Sequence, residues 1–206
     1  MNYLSFREAF KDFTVFSVRD IRRADAGFHR RRLNEWQDKG YIRKVIKGFY
    51  IFADLPIDEM ILFEIANRVY KPSYISLESA LAHYQLIPES VFGVTSVSTR
   101  RSYRFPGALA DLRYRTVKPE LFFGYALVSA RGRGIKIALP EKSVLDFLYL
   151  NPGFRSGPDF ESLRFDADRF RGTVSVRDLR SAAARFGGKT FAGRVDRFLA
   201  FMGNMP

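Results

Sequence analysis

The first quarter of the chain combines three helix-like patterns with two short β-prone runs. Apolar residues at helical spacing predict a first helix over Leu4–Phe13. Ser17 and Asp20 have the S-x-x-D spacing of a capping box, which predicts a second helix directly after Ser17. A third helix is predicted from Arg30 to Lys39, and the β-prone runs within 41–52 predict a hairpin around a glycine turn.

The pattern changes after a linker at Ala53–Pro56. Two amphipathic helices precede a stretch from 91 to 139, where β-branched and aromatic runs broken by Gly and Pro predict strands. A helix opened by Pro140 follows, and then a helical tail in which Ser175 and Asp178 have the spacing of another capping box. The predicted fold class is α+β, with three domains: a helix and hairpin domain over 1–53, a mixed α/β domain over 58–150 and a helical C-terminal extension over 151–206.

Composition favours a polyanionic partner. The chain has 34 Lys+Arg against 22 Asp+Glu, a net charge of +12, and half of that charge lies in residues 1–53. Zero Cys excludes thiolate chemistry, and two His leave little for a metal centre, so we expect no cofactor and no metal. The sequence shows neither a signal peptide nor a membrane span, which predicts a soluble, cytoplasmic protein without a membrane partner.

Residues 1–53 fit the plan of a winged helix-turn-helix. Gly27 supplies the turn, and Leu33 and Trp36 lie three apart on one face of the third helix, with Arg31 nearly opposite. Arg pairs with guanine and Asn with adenine in the major groove. The predicted base-reading residues are Arg30, Arg31 and Asn34. The predicted contacts to the DNA backbone, from the second helix and the hairpin (the wing), are Arg22, Arg23, Arg43, Lys44 and Lys47.

Two positions depart from that plan. His29 stands where a Ser or Thr cap usually begins the third helix, and Arg23 stands where a small residue is expected. Glu35 and Asp38 also lie near the exposed face, where they would repel phosphate unless paired. The alternative interpretation is a small helical domain with a solvated basic face.

A second basic cluster lies between residues 97 and 118, a segment that contains six cationic side chains, one acidic side chain (Asp111) and interleaved aromatic residues. Such a mixture is typical of surfaces that hold single-stranded nucleic acid by charge and stacking. The same alternation also fits the polar face of a sheet. We predict a secondary phosphate- or RNA-facing surface made of Arg100, Arg101, Arg104, Arg113, Arg115 and Lys118.

Two downstream segments add a resemblance. The sequence reads KGFY at 47–50, YISLESALAHYQLIP at 74–88 and LPEKSVLDFLYL at 139–150. In this order the segments resemble the AbiEi family, the antitoxins of type IV toxin–antitoxin (abortive-infection) systems, over roughly residues 6–150. Ser143 and Val144 depart from the Ala and Leu that are usual in the family. The downstream segments also fit a purely structural role as helix-determining motifs, since Ser76 and Ser79 can cap the start of a helix and Pro140 preorganises a first helical turn.

The resemblance implies a repressor of its own operon. Family members bind repeats in their own promoter, so double-stranded DNA is the implied partner. The functional partner is a nucleotidyltransferase-like toxin encoded next door, which the antitoxin counters without a stable complex.

Enzyme chemistry is the main competing hypothesis. A metal-dependent nuclease would need convergent carboxylates and often a lysine, for which Asp111, Glu120, Glu141 and Lys142 are candidates. Glu141 and Lys142 are adjacent, so on a helix they diverge by about 100°. We therefore expect no catalytic residues. The alternatives are a nuclease, or an antitoxin that binds toxin or RNA directly through residues 97–118.

Overall fold

The N-terminal quarter contains three helices and a small sheet, in the predicted order. A computed structural model describes residues 1–88, 93–130 and 133–205 of the chain. The elements are α1 (Tyr3–Phe10), β1 (Phe16–Ser17), α2 (Val18–Ala24), α3 (Arg31–Asp38), β2 (Ile42–Ile46) and β3 (Phe49–Phe52). The strand order in the sheet is β1-β3-β2, and all neighbouring strands are antiparallel.

The start of α2 is confirmed as a capping box. The Asp20 amide donates to Ser17 Oγ at 3.2 Å, and the Asp20 carboxylate accepts the Ser17 amide at 2.8 Å. The prediction for α1 was too long, because this helix ends at Phe10. The Phe13 amide then donates to the Phe10 carbonyl at 2.8 Å, and the chain turns so that Phe16 is buried in β1.

Two arginines of the N-terminal segment hold the linker that follows β3. Arg7 of α1 donates two hydrogen bonds to the Asp54 carboxylate, at 3.0 and 2.7 Å. These bonds hold the pKa of Asp54 below its usual value. Arg43 of β2 donates from Nη2 to the Leu55 carbonyl at 3.1 Å. The linker is therefore fixed to both a helix and a strand of the N-terminal segment.

The central part of the chain forms a six-stranded mixed sheet with helices packed against it. The elements are α4 (Glu59–Val69), β4 (Ser73–Ile75), α5 (Leu77–His83), β5 (Val94–Ser98), β6 (Tyr103–Phe105), β7 (Leu112–Thr116), β8 (Tyr125–Ala130), β9 (Arg133–Ala138) and α6 (Pro140–Leu150). The strand order is β6-β7-β5-β4-β9-β8, in which the pairs β4–β9 and β5–β7 are parallel and the others are antiparallel.

The C-terminal tail is helical and packs against the central part. Its elements are α7 (Gly157–Glu161), α8 (Ala167–Thr173), α9 (Val176–Ala184) and α10 (Lys189–Asn204). The predicted cap of α9 is confirmed, since Ser175 Oγ accepts the Asp178 amide at 3.2 Å. Phe191, Phe198 and Met202 of α10 are buried in the same hydrophobic cluster as α6. The tail thus shares the core of residues 58–150.

Among the described residues, the buried apolar side chains form two clusters. A small cluster lies within residues 6–52 and includes Phe6, Leu33 and Trp36. The large cluster contains the six-stranded sheet and the tail, and Val15 and Val45 of the N-terminal segment also belong to it. In the part of the chain that the structure describes, no helix is both long enough and apolar enough to cross a membrane.

Candidate nucleic-acid interface

The inner face of α3 is anchored in the small cluster, as predicted. Leu33 is fully buried and Trp36 is 5 % exposed. The Trp36 ring stacks on Phe6 with centroids 4.6 Å apart and contacts Phe28 at 5.6 Å. The turn before α3 closes when the Phe28 amide donates to the Asp25 carbonyl at 3.0 Å. Because these contacts fix the rotation of α3, they also determine which side chains face outward.

Of the predicted base-reading residues, Arg31 and Asn34 lie on the outer face of α3, and Arg30 directly precedes the helix, which begins one residue later than predicted. Arg30, Arg31 and Asn34 are all exposed, and the Arg31 side chain retains 89 % of its accessible surface. Arg31 Nε lies 3.8 Å from Glu35 Oε1, an exposed pair that contributes about 0–1 kcal/mol. Glu35 therefore does not prevent Arg31 from binding another anion. Arg32, in contrast, donates to the Met1 carbonyl and secures the N-terminus.

The hairpin places two exposed cations beside α3. Its turn includes Gly48, whose φ of +88° favours glycine. Lys44 and Lys47 are exposed. Arg43 is half-buried and holds the linker, so its guanidinium is partly committed within the protein. The Val18 amide donates to the Gly48 carbonyl at 3.4 Å, which ties the turn to the start of α2.

Helix α2 adds a row of arginines. Arg22 and Arg23 are exposed, and Arg23 Nη1 lies 3.9 Å from Asp20 Oδ1. Arg19 is exposed as well but is absent from the predicted set. The i, i+3, i+4 spacing of residues 19, 22 and 23 places all three on one helix face, a signal that was available in the sequence.

The secondary basic cluster is largely engaged in contacts within the protein. Arg104 donates to the Asp111 carboxylate from Nε at 3.0 Å and holds the pKa of Asp111 below its usual value, while Arg113 lies 3.8 Å from the same carboxylate. Arg115 donates to the Leu150 carbonyl at 2.7 Å. The other members are Arg100, over the Tyr70 ring at 4.4 Å, Arg101, over Tyr103 at 5.9 Å, and exposed Lys118. A nucleic-acid role for this cluster remains a prediction.

The two downstream motifs meet in a buried polar cluster. Asp146 of α6 accepts hydrogen bonds from Tyr74 Oη and Ser76 Oγ, both at 2.8 Å, and from Lys142 Nζ. Lys142 Nζ also donates to Tyr74 Oη at 2.7 Å. Burial lowers the pKa of Lys142 and raises that of Asp146, because each charged form loses its water, and the attraction within the pair opposes both shifts.

This cluster corrects the expectation that Ser76 caps α5. Ser76 is the N-cap residue, but its side chain makes no capping hydrogen bond because Oγ donates to Asp146. Ser79, the second candidate cap, accepts the Thr95 amide at 2.8 Å. Both hydroxyls thus join parts of the chain that are distant in sequence, which the local pattern does not reveal.

The residues of the nuclease hypothesis are used in separate structural contacts. Lys142 is buried in the polar cluster, and Glu141 Oε1 accepts the Ser175 amide at 2.8 Å. Asp111 directly precedes β7 and is paired with Arg104 of the edge strand β6. Glu120 is exposed in a 3₁₀ turn. Within residues 1–88, 93–130 and 133–205, no three His, Asp or Glu side chains are grouped so that they could hold a metal ion.

The N-terminal segment is similar to a known class of transcriptional regulators. Residues 7–53 match the family described as "Transcriptional regulator, AbiEi antitoxin". The predicted resemblance is therefore confirmed over α1 to β3. The match does not extend to residues 58–150, where the resemblance remains a prediction.

The overall fold is similar to that of a solved structure. It is the crystal structure of the RV2827C protein from Mycobacterium tuberculosis, which is 15 % identical in sequence and superimposes with a TM-score of 0.63. The alignment covers 97 % of this chain and 75 % of that protein. The similarity thus extends over the N-terminal segment, the six-stranded sheet and the tail. No curated protein sequence matches this chain.

Proposed function

We propose that this chain is a DNA-binding transcriptional regulator of the antitoxin type that represses its own promoter. Residues 1–53 act as a winged helix-turn-helix, with α3 as the recognition helix and the β2–β3 hairpin as the wing. One observation carries the proposal: α3 buries Leu33 and Trp36 and thereby turns Arg31 and its neighbours outward. The match of residues 7–53 to a family of transcriptional regulators supports it.

In the proposed complex, α3 lies in the major groove. Arg31 donates two parallel hydrogen bonds to a guanine, and Asn34 pairs with an adenine edge. Arg30 adds a further contact to a base. Lys44 and Lys47 bind phosphates from the wing, where they add affinity but no sequence preference.

Arg31→Ala tests this assignment. Fluorescence anisotropy with a labelled promoter duplex is expected to show a loss of about 1–3 kcal/mol and relaxed selectivity. The fold is unaffected, because Arg31 is exposed. Arg177→Ala, which removes an exposed arginine from α9, is the matched control and leaves promoter selectivity unchanged. Unchanged affinity and selectivity of Arg31→Ala would refute the assignment of α3 to the groove.

The antitoxin role concerns the rest of the chain. We propose that residues 58–150 counter a nucleotidyltransferase-like toxin encoded by the adjacent gene, without forming a stable complex and without enzymatic activity. Co-expression of the two genes is expected to restore growth, while the tagged chain purifies without the toxin. A stable complex would favour direct toxin binding, and Mg²⁺-dependent DNA cleavage that is lost in Glu141→Gln would favour the nuclease.

A further inference from the structure

A groove beside the N-terminal segment concentrates positive charge from three separate parts of the fold. It has a volume of about 440 Å³ and lies between α4, the connection to β4, and β9. Arg68, Lys71 and Lys136 each line it from one of these parts. Glu64 is the acidic residue among the described lining residues, so their net charge is +2. None of these cations belongs to the surfaces discussed above.

Two neutral side chains in the lining have unused hydrogen-bonding capacity. Ser73 is 2 % exposed, and its Oγ has no hydrogen-bond partner among the described residues. Asn67 Oδ1 accepts the Lys136 amide at 2.7 Å, which fixes the orientation of the side-chain amide. Its buried Nδ2 donor finds no acceptor within the described part of the chain. A ligand rich in acceptor oxygens would satisfy both groups.

The lining therefore matches a phosphate group. Three cations and two neutral donors suit an anion with several acceptor oxygens, and charge-assisted hydrogen bonds to phosphate are stronger than neutral ones. A volume of about 440 Å³ falls within the usual range for small-molecule sites. We infer that this groove binds a phosphate group, carried either by a free nucleotide or by the backbone of bound DNA.

Arg68 connects the groove to the proposed DNA-binding segment. Its Nη2 lies 3.6 Å from Asp20 Oδ2, and its guanidinium lies 5.5 Å from the centroid of the Phe13 ring. Asp20 is the residue whose carboxylate completes the capping box of α2. A phosphate in the groove would thus contact the side chain that joins α4 to α2. The phosphate site itself does not depend on the proposed function; only its backbone source does.

The test uses the full chain and three probes at matched ionic strength: inorganic phosphate, AMP and a duplex without promoter repeats. Lys71→Gln/Lys136→Gln is expected to weaken binding at least about tenfold, the effect of about 1.4 kcal/mol. Lys189→Gln/Arg177→Gln removes the same charge from exposed tail residues and is the control. Saturable AMP or phosphate binding that only the groove variant loses identifies a free nucleotide as the source. A loss confined to the duplex identifies the DNA backbone.

Ser73→Ala separates ligand binding from structure. Since the Ser73 hydroxyl is buried without a partner among the described residues, its removal is expected to leave the melting temperature unchanged or higher, yet to weaken phosphate binding severalfold. The inference is overturned if no probe binds the wild-type chain, or if the groove variant binds every probe as tightly as the control does. Arg31→Ala should retain AMP and phosphate binding, so failure of the α3 assignment and failure of the groove can be told apart.

Discussion

The buried cluster around Asp146 makes a strong prediction about stability. Lys142→Met removes the cation but keeps most of the side-chain volume. Asp146, which has no accessible surface, would retain only the hydroxyl donors of Tyr74 and Ser76, each at 2.8 Å. Removing one partner of a buried ion pair costs about 3–5 kcal/mol. Since a whole domain is stable by about 5–15 kcal/mol, we expect a large loss.

Asp146→Asn should cost less than Lys142→Met, because the Asn side chain can still accept hydrogen bonds from Tyr74 and Ser76, whereas Met forms no hydrogen bond to Tyr74 Oη. Burial lowers the pKa of Lys142 and raises that of Asp146, so in each single variant the remaining group can become neutral in the core. In the double variant neither charge is present. The sum of the two single losses in the free energy of unfolding is therefore expected to exceed the loss in the double variant by about 2 kcal/mol, within the range of coupling energies for contacting residues.

Urea denaturation at pH 7 provides the assay. Far-UV circular dichroism reports unfolding of the whole chain, whereas fluorescence from Trp36, the one tryptophan, reports the small N-terminal cluster. Lys189→Met, which changes an exposed lysine in α10, controls for the loss of a charge. The reasoning is refuted if Lys142→Met costs less than about 1 kcal/mol, or if the two single costs simply add.

Three further predictions concern other positions. Gly124→Ala should lower the melting temperature, because a Cβ there would lie 3.1 Å from Lys142 Cγ at a φ of +69°, whereas Gly153→Ala meets no atom within 4 Å and should not. Hydrogen bonds from Ser156 and the Arg155 amide hold the pKa of Asp159 below its usual value of 3.8. The ionised Asp159 carboxylate therefore stabilises the folded chain fully above pH 3.8, and this stabilisation is lost as the pH falls through the lower pKa of the folded state. Asp159→Asn should therefore lower the urea midpoint at pH 7, and the difference from the wild-type chain should shrink as the pH falls below 3.8; a difference that does not change with pH would contradict this. Lys47→Gln should reduce the slope of log K against log salt by about one without altering selectivity, and an altered preference would assign Lys47 to base reading.

Local signals predicted the N-terminal segment well. Helix α3, strand β3 and the capping box of α2 depend on residues close in sequence, and the inward faces of Leu33 and Trp36 follow from helical spacing. Strands β1 and β4 were missed because two or three residues give too short a pattern to show alternation. Their pairing depends on partners more than twenty residues away.

The candidate site was predictable only in part. The exposure of Arg31 follows from the helix period, but the commitment of Arg32 to the Met1 carbonyl and of Arg43 to the linker does not. Likewise, Ser76 reads locally as a cap, and only the fold brings Asp146 within 2.8 Å of its hydroxyl. Sequence spacing identifies which face a side chain occupies, whereas its bonding partner is determined by the tertiary structure.

The clamped linker has a consequence for how copies of the chain would occupy repeated DNA sites. Arg7 and Arg43 hold the linker against the N-terminal segment, and Val15 and Val45 of that segment lie in the hydrophobic cluster of the six-stranded sheet. We therefore expect the N-terminal segment and the sheet to move as one rigid body. If two copies bind adjacent promoter repeats as proposed, the spacing of the repeats must keep the six-stranded sheets and helical tails of the two copies from overlapping. Shifting one promoter repeat by half a helical turn should abolish joint occupancy, and unchanged joint occupancy would contradict this rigid coupling.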